Sequence, residues 1–494
     1  MPTVYINKFD GGHAEDNRTF ATDQCEECLN FDIYTNPHKL IPIRGNTEEI
    51  ISSVDYDMNE IRIADVGIAS VSGTPTIVGV GKSTDVLAAP SFYTKTIITD
   101  PWLKVASGTG TYAPGTLVIY RGLPYVLSTN GDLQKWSGAV STVGNNAGTN
   151  IGSSFPRPYV HPEDNVLYTV IGNIIGKWDA STYTAASTIL PDGMTASSIT
   201  HWGGYLAIAM RPTYGIGNSY GVLWGRDTTI NTLQGVIDFG EGDLRILENL
   251  GEVLVGLVYS RTNFSSTISY KIDVKVYSGG SVTTVKSIPI PAGADNTYPV
   301  LKLKKDDKLY FAIGGNSTAI WCVYKNKEGY WVVTKERYFR LGTSNAADLA
   351  GSPSGLSLIG DIFYLGYFDS GGTYRLQSTT TTPSYIATSK YKTTVNPNMV
   401  ISDRFKSKTL EAVHIAITGS ATGSAGLSYS VDGSDMTSII SEPNSLGEYV
   451  VEASAEAGGK PFATGREFQF LVESSGGAQI KEIRYRYKVV NDLV

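Results

Sequence analysis

The sequence predicts an all-β protein: a β-propeller of about seven blades followed by a small C-terminal β-sandwich. Three observations predict it. The first is a repeat: "LPYVLSTNGDLQKWSGAV" from residue 123 and "NVLYTVIGNIIGKWDAST" from residue 165 stand about forty residues apart, the spacing of propeller blades. The second is composition, since 41% of the 494 residues are hydrophobic and only 18% charged, while Gly (53) and Tyr (30) are plentiful and Ser and Thr run in stretches. The third is the chain after residue 400, where apolar and polar residues alternate as they do in half-buried antiparallel strands.

In chain order, residues 1–55 read as an N-terminal arm with the first strand or strands leading into the propeller, and 56–390 as the propeller itself. "NEIRIADVGIASVSGTPTIVGVG" (59–81) opens the series. The segments Tyr125 to Trp136 and Tyr168 to Trp178 overlay with a one-residue adjustment: apolar strand, turn, apolar residue, Lys-Trp. Asn130-Gly131 and Gly172-Asn173 are dipeptides that tolerate positive φ and close hairpins, so each copy is expected to be a hairpin. Looser copies follow at 203–227, 251–280, 306–333 and 360–378. Their second-strand aromatics, Trp136, Trp178, Trp224, Tyr277, Tyr324 and Tyr374, recur every 42 to 53 residues. A blade leaves two apolar faces, and radial stacking buries them, so these aromatics are expected to pack between blades. The same spacing is compatible with six or eight blades, or with unrelated strands of a sandwich.

Around residue 385 the chain turns Thr- and Ser-rich, and "NPN" (396–398) reads as a boundary turn. Residues 397–494 then carry five alternating stretches, 409–419, 426–433, 447–456, 466–475 and 479–490, which suit a small sandwich.

The net charge of -7 is mild, and the longest basic run, "LKLKKDDK" (301–308), is interrupted by two aspartates. Gripping phosphate backbones takes a concentrated basic surface, so sequence-specific nucleic-acid binding is not expected; a conduit through which DNA slides is compatible with the charge. Three cysteines make no disulfide framework, and the N-terminal stretch has neither a charged n-region nor an apolar h-region, which points to synthesis in a reducing cytoplasm. No apolar run approaches the roughly twenty residues that span a bilayer, so membrane insertion is not expected.

Few residues suggest chemistry. Cys25-Glu26-Glu27-Cys28 has the spacing of half a zinc site, with His13 and His38 near in sequence, but the two acids inside it and the lack of a second C-x-x-C favour ordinary thiols. Cys322, within "AIWCVY", reads as a small core residue. Asp238, Glu241 and Asp243 lie close together in sequence, yet a glycosidase needs two carboxyl groups roughly 5 to 10 Å apart across a cleft, and Gly-flanked acids are common in exposed turns. Ser430-Val-Asp432-Gly resembles the start of an aspartate box without the following Thr-Trp and reads as a hairpin turn. G-x-S-x-G, P-loop and H-E-x-x-H motifs are lacking, so no catalytic residue, metal or cofactor is expected and the chain is not expected to be an enzyme.

The N-terminal stretch "FDGGHAED" (9–16) followed by "CLNFDIYTNPHKLIPIRGN" (28–46) resembles a phrase that opens many bacteriophage virion β-propeller proteins, in which Phe9, Gly11, Gly12, Asn30, Leu40, Arg44 and Gly45 fit. "GVIDFGEGDLRILENLGEVLVGL" (235–257) is similar to a mid-propeller phrase of the same proteins. The architecture is most similar to the tail-nozzle or tail-hub proteins of short-tailed phages; the Cys-Glu-Glu-Cys insertion departs from the phrase. The resemblance implies a structural virion protein of the tail or neck, assembled in the host cytoplasm. Copies, six in the simplest case, would form a ring that continues the portal and adaptor channel, with DNA as cargo and the N-terminal arm and sandwich as docking elements. Two other classes stay open: a receptor- or carbohydrate-binding propeller using Trp202, Tyr214 and Tyr220, and a glycoside hydrolase.

Overall fold

The computed structural model describes residues 3–6, 25–29, 31–32, 39–42, 46–48, 62–71, 73–82, 90–95, 102–107, 117–127, 132–145, 157–213, 217–225, 233–264, 267–290, 301–314, 319–326, 329–338, 351–369, 374–379, 389–397, 399, 401–419, 423–440, 446–452 and 462–490. Among the described residues the protein is all-β: no α-helix occurs, and one 3-10 turn spans Ile401–Asp403.

Most of the strands form seven four-stranded antiparallel sheets. The first comprises Arg62–Val71, Thr74–Lys82, Pro90–Lys95 and Leu103–Ser107, and the second Leu117–Tyr120, Leu123–Leu127, Asp132–Trp136 and Val140–Asn145. The third comprises Tyr159–Val160, Leu167–Ile171, Ile174–Trp178 and Tyr183–Ile189; the fourth, Met194–Trp202, Tyr205–Pro212, Asn218–Trp224 and Leu233–Glu241. The fifth comprises Asp243–Leu250, Val253–Phe264, Thr267–Ser278 and Ser281–Pro289; the sixth, Lys302–Lys305, Lys308–Ile313, Ala319–Lys325 and Trp331–Tyr338. In these six the strands pair in chain order; the turn Gly203-Gly204 between two of them has φ angles of 55° and 85°, which suit residues without a Cβ. The seventh sheet pairs Gly351–Ile359, Ile362–Asp369 and Tyr374–Thr379, and its fourth strand comes from the other end of the chain: Asn46–Glu48 pairs with Tyr374–Thr379 through Thr47↔Ser378.

Each quoted phrase is a hairpin of this series, with Tyr125 opposite Lys135 and Leu167 opposite Trp178. Gly172-Asn173 makes the predicted turn, while Asn130-Gly131 lies outside the described residues. All six recurring aromatics fall on the third strand of a sheet.

Seven apolar cores each combine residues of two sheets. Phe92 of the first packs with Trp136 of the second, Tyr125 of the second with Trp178 of the third, and Tyr168 of the third with Trp224 of the fourth. Phe239 of the fourth shares a core with Leu244 and Leu254 of the fifth, Val276 of the fifth with Phe311 of the sixth, and Tyr324 of the sixth with Phe363 of the seventh. The seventh core joins the last sheet to the first, through Tyr364 and Leu376 with Tyr93 and Trp102. Removing this apolar surface from water stabilises the body by roughly 1.5–3 kcal/mol per fully buried large side chain. Trp136, Trp178, Trp224 and Tyr277 all face the preceding sheet, but Tyr324 faces the following one. The alternation of Ala319–Lys325 explains this, because Trp321 and Val323 take the side toward the fifth sheet.

Apart from a two-stranded pair, Phe31–Asp32 with Ile41–Pro42, the remaining strands form two five-stranded sheets over one core. One pairs Thr3–Ile6, Ala478–Val489, Lys408–Gly419 and Gly447–Glu452 in that order, with Thr464–Gly465 also on Lys408–Gly419. The other runs Cys25–Leu29, Ser389–Thr393, Phe468–Ser475, Ser424–Val431 and Thr437–Ile440. Val413, Ile415, Ile483 and Tyr485 of the first meet Tyr391, Leu427 and Phe470 of the second. The segment 1–55, expected as an arm with the first strand or strands of the propeller, is thus spread over four sheets where it is described, and Ser389–Thr393, whose first two residues close the span 56–390 expected to be propeller, pairs with Cys25–Leu29 and the C-terminal Phe468–Ser475.

Candidate functional site

The first strands of the seven sheets carry a buried polar network that no motif in the sequence announces. Asp65, in the first sheet, accepts hydrogen bonds from Ser357 Oγ of the seventh sheet (3.1 Å) and from the Leu117 amide of the second (3.2 Å). Arg157, just before the third sheet, completes the carboxylate's shell at 2.5 Å. One side chain therefore ties three sheets to the segment that leads into a fourth. Burial pushes the Asp65 carboxyl up from its ordinary range, and the Arg157 charge and the donors from Ser357, Val66 and Leu117 pull the other way.

A second ion pair lies alongside. Glu248 of the fifth sheet meets Lys302 Nζ of the sixth at 2.7 Å and accepts a hydrogen bond from Thr200 Oγ1 of the fourth at 2.7 Å. Lys302 gives its other two protons to the carbonyls of Ile199 and Leu247, each at 2.8 Å, so all three ammonium donors are used. Burial lowers the Lys302 pKa, Glu248 raises it, and the charge of Arg157 also lowers it, which places the two ion pairs within electrostatic reach. Two cations and two carboxylates make the network neutral, as buried charge requires.

Tyr159 of the third sheet extends the network: its hydroxyl bonds His201 Nδ1, and burial and the nearby Glu248 charge push the phenol up. The His201 ring lies 5.3 Å from that of His161, whose Nδ1 is 2.5 Å from Asp164 Oδ1. These groups fasten the third sheet to the fourth beside the charged pairs. Among the described residues no group of three or more His, Cys, Asp and Glu is disposed to hold a metal ion.

The residues singled out in the sequence lie elsewhere. Asp238 is exposed on the last strand of the fourth sheet and accepts hydrogen bonds from Asn218 Nδ2 (3.1 Å) and the Gly240 amide (2.7 Å), a turn brace. Glu241 is exposed, and Asp243 is held by Arg245 at 2.9 Å and Arg211 at 3.6 Å. Asp432 accepts the amides of Arg466 (2.8 Å) and Glu467 (2.7 Å) and Ser430 Oγ donates to Ser434 O, so this segment is a hairpin turn. Trp202 is pinned between the fourth and fifth sheets, its indole donating to Glu252 O at 3.0 Å, and Tyr220 packs on the core between the third and fourth. Cys322 is fully buried. Cys25 and Cys28 stand in register with Thr393 and Tyr391, while His13, His38 and Tyr214 lie outside the described residues. Of the virion-type phrase, Leu40 is fully buried and bridges Ile480; Phe9, Gly11, Gly12, Asn30, Arg44 and Gly45 lie outside the described residues.

No family model matches the chain, and no curated protein does. Among solved structures, a hypothetical selenium-binding protein from Sulfolobus tokodaii is similar with a TM-score of 0.43 and 12% identity, over 64% of this chain and 90% of that one. That likeness is too loose to carry an argument about either fold or activity.

Proposed function

We propose that the seven four-stranded sheets are the blades of a β-propeller, that the two five-stranded sheets are its small β-sandwich, and that the protein is a structural component of a bacteriophage virion. Its place would be a tail nozzle or hub, or a neck ring, where copies of the chain encircle the DNA channel and link the portal and adaptor to distal tail parts. The observation that carries the propeller is the set of seven shared cores, the last of which returns to the first sheet. Completion of the seventh sheet by Asn46–Glu48 supports it further, because a chain-terminal strand that closes a ring replaces an exposed edge with a paired one.

The polar network supports a structural role. Asp65, Arg157, Glu248 and Lys302 fill the place where the first strands meet, so such a propeller is a filled body and DNA would pass between subunits rather than through one. A stiff, filled body woven to its sandwich by N-terminal strands suits the wall of a pressurised conduit.

Quantitative mass spectrometry of purified particles from the source of this gene tests the reading. A copy number near six or twelve, followed by cryo-electron microscopy that places the chain in the tail or neck, is the expected result. Absence from clean particles overturns it.

A further inference from the structure

A strand at the edge of a sheet presents unpaired N–H and C=O groups, and a bulge that twists it away keeps another chain from adding to it. The fourth strand of each of the first six four-stranded sheets joins its neighbour through a register shift, as between Phe92 and Tyr93 in the first and between Ile320 and Trp321 in the sixth. Cys25–Leu29 and Thr437–Ile440, the two edges of one sandwich sheet, do the same. The other sandwich sheet is the exception. Thr3–Ile6 and Gly447–Glu452, at its two ends, pair inward without a shift and hold neither Pro nor Lys. Among the described residues no strand pairs with the outer side of either.

These two edges fit each other. Tyr5 stands opposite Arg484, Arg484 opposite His414 and His414 opposite Val450, so one cross-strand row runs from edge to edge on the face turned away from the core. Its two ends are its apolar members and both are exposed, Tyr5 by 48% and Val450 by 56%. Strands alternate in direction through the sheet, so Thr3–Ile6 of a second copy, set beside Gly447–Glu452 in the same orientation, runs antiparallel to it. With Tyr5 opposite Val450, Val4 falls opposite Val451 and Ile6 opposite Tyr449, and all four of these side chains take the core side of the sheet. Charge agrees with this register: exposed Glu448 and Glu452 flank Val450, whereas the Arg484 guanidinium lies over the Tyr5 ring, 5.4 Å from its centroid.

We propose that Gly447–Glu452 of one copy pairs antiparallel with Thr3–Ile6 of the next, Val450 opposite Tyr5, and joins copies of this chain head to tail through a continuous sheet. Such a contact uses two different edges and generates a ring where the rotation closes. Pairing of Gly447–Glu452 with itself about Val450 would instead set Glu448 of each copy against Glu452 of the other, like charges directly opposite. The head-to-tail contact rests on the assembly of copies proposed above; the two fail separately, because the contact is read on the purified chain and the place in a virion on purified particles.

The test is cysteine cross-linking of the full chain together with sedimentation velocity. Thr3 and Glu452 stand opposite each other in this register, close enough for a disulfide between cysteines at the two positions. Under mild oxidation a mixture of Thr3→Cys and Glu452→Cys chains should give a linked dimer, its 3–452 bond identified by peptide mass spectrometry. Each variant alone, and the parent with its own three cysteines, should not. Sedimentation of the parent should show association that rises with concentration. Val450→Lys and Tyr5→Lys, which put a charge at the centre of the contact, should each weaken it about tenfold or more, and Leu233→Lys, exposed on the last strand of the fourth sheet, should leave it unchanged. Thermal unfolding of each lysine variant close to the parent midpoint shows that the loss is local. A parent that stays monomeric, a mixture without the cross-link, a cross-link in either single variant alone, or association indifferent to both edge lysines would each overturn the proposal.

Discussion

Lys302 Nζ stands 2.7 Å from Glu248 Oε2 across the boundary between the sixth and fifth sheets, the Glu248 side chain buried and that of Lys302 only 13% exposed. Their mutual attraction must offset the loss of two hydration shells, so the pair is valuable chiefly because neither ion can be left alone. Lys302→Met should destabilise the protein by about 3–5 kcal/mol by stranding the Glu248 carboxylate. The double variant Lys302→Met with Glu248→Leu should recover most of the loss, since an apolar pair of similar volume avoids the desolvation cost. Urea unfolding of the two variants and the parent decides this, and a double variant no better than the single one would show that the ion pair itself is net stabilising.

The strand Asn46–Glu48 should hold the outer edge of the seventh sheet. Thr47→Pro removes a backbone donor opposite Ser378 and should lower stability by about 1–3 kcal/mol. Hydrogen exchange provides the sharper reading, because protection should fall first in Tyr374–Thr379 and much less in the second and third sheets. Uniform loss of protection would mean that the seventh sheet does not open separately.

Which parts of this architecture were legible in the sequence follows from the range of the interactions. Hairpins such as Tyr125 to Trp136 are local, and their turn residues and apolar strands announce them; so do the alternating stretches after residue 400. The pairing of Thr47 with Ser378 is different, since "NTE" is short and polar and its partner lies more than three hundred residues away. Lys302 was read as part of a broken basic run because exposed Lys304 and Lys305 follow it; only the inward turn of the first strand separates it from them. Asp65 and Glu248 carried the one usable signal, a single acid within an apolar strand, and sequence alone does not distinguish that from a solvated position. The acids that did attract attention, Asp238 and Asp243, brace a turn and pair with arginines.

The turn at Asp179 should be acid-sensitive. Its Oδ1 accepts hydrogen bonds from Ser181 Oγ, the Thr182 amide and the Ser181 amide, each at 2.7 Å, and these hold the carboxyl down at about 2. An unfolded Asp titrates near 4, so this group supports the turn above about pH 4 and the support is lost as pH falls toward about 2. The amide resonances of Ser181 and Thr182 should shift with that midpoint, and Asp179→Asn should abolish the titration. A midpoint near 4 in the parent would show that the hydrogen bonds do not persist in solution.

Phe239 fits between the fourth and fifth sheets because two strands approach it with glycine. A Cβ on Gly221 would lie 3.0 Å from Phe239 Cε2, and one on Gly256 would lie 2.7 Å from Phe239 Cδ1 and 3.0 Å from Leu244 Cδ1. The ring is fully buried in the core shared by the two sheets, so it has no free space to retreat into. Gly256→Ala should therefore destabilise by about 1–3 kcal/mol through overpacking, and Gly221→Ala by less, since its neighbours need to give only a few tenths of an ångström. If the clash with Phe239 is the cause, Phe239→Leu should destabilise less in the Gly256→Ala background than in the parent, because the smaller side chain makes room for the added methyl. Strictly additive losses in that double-mutant cycle would place the strain in the backbone of Val253–Phe264 instead.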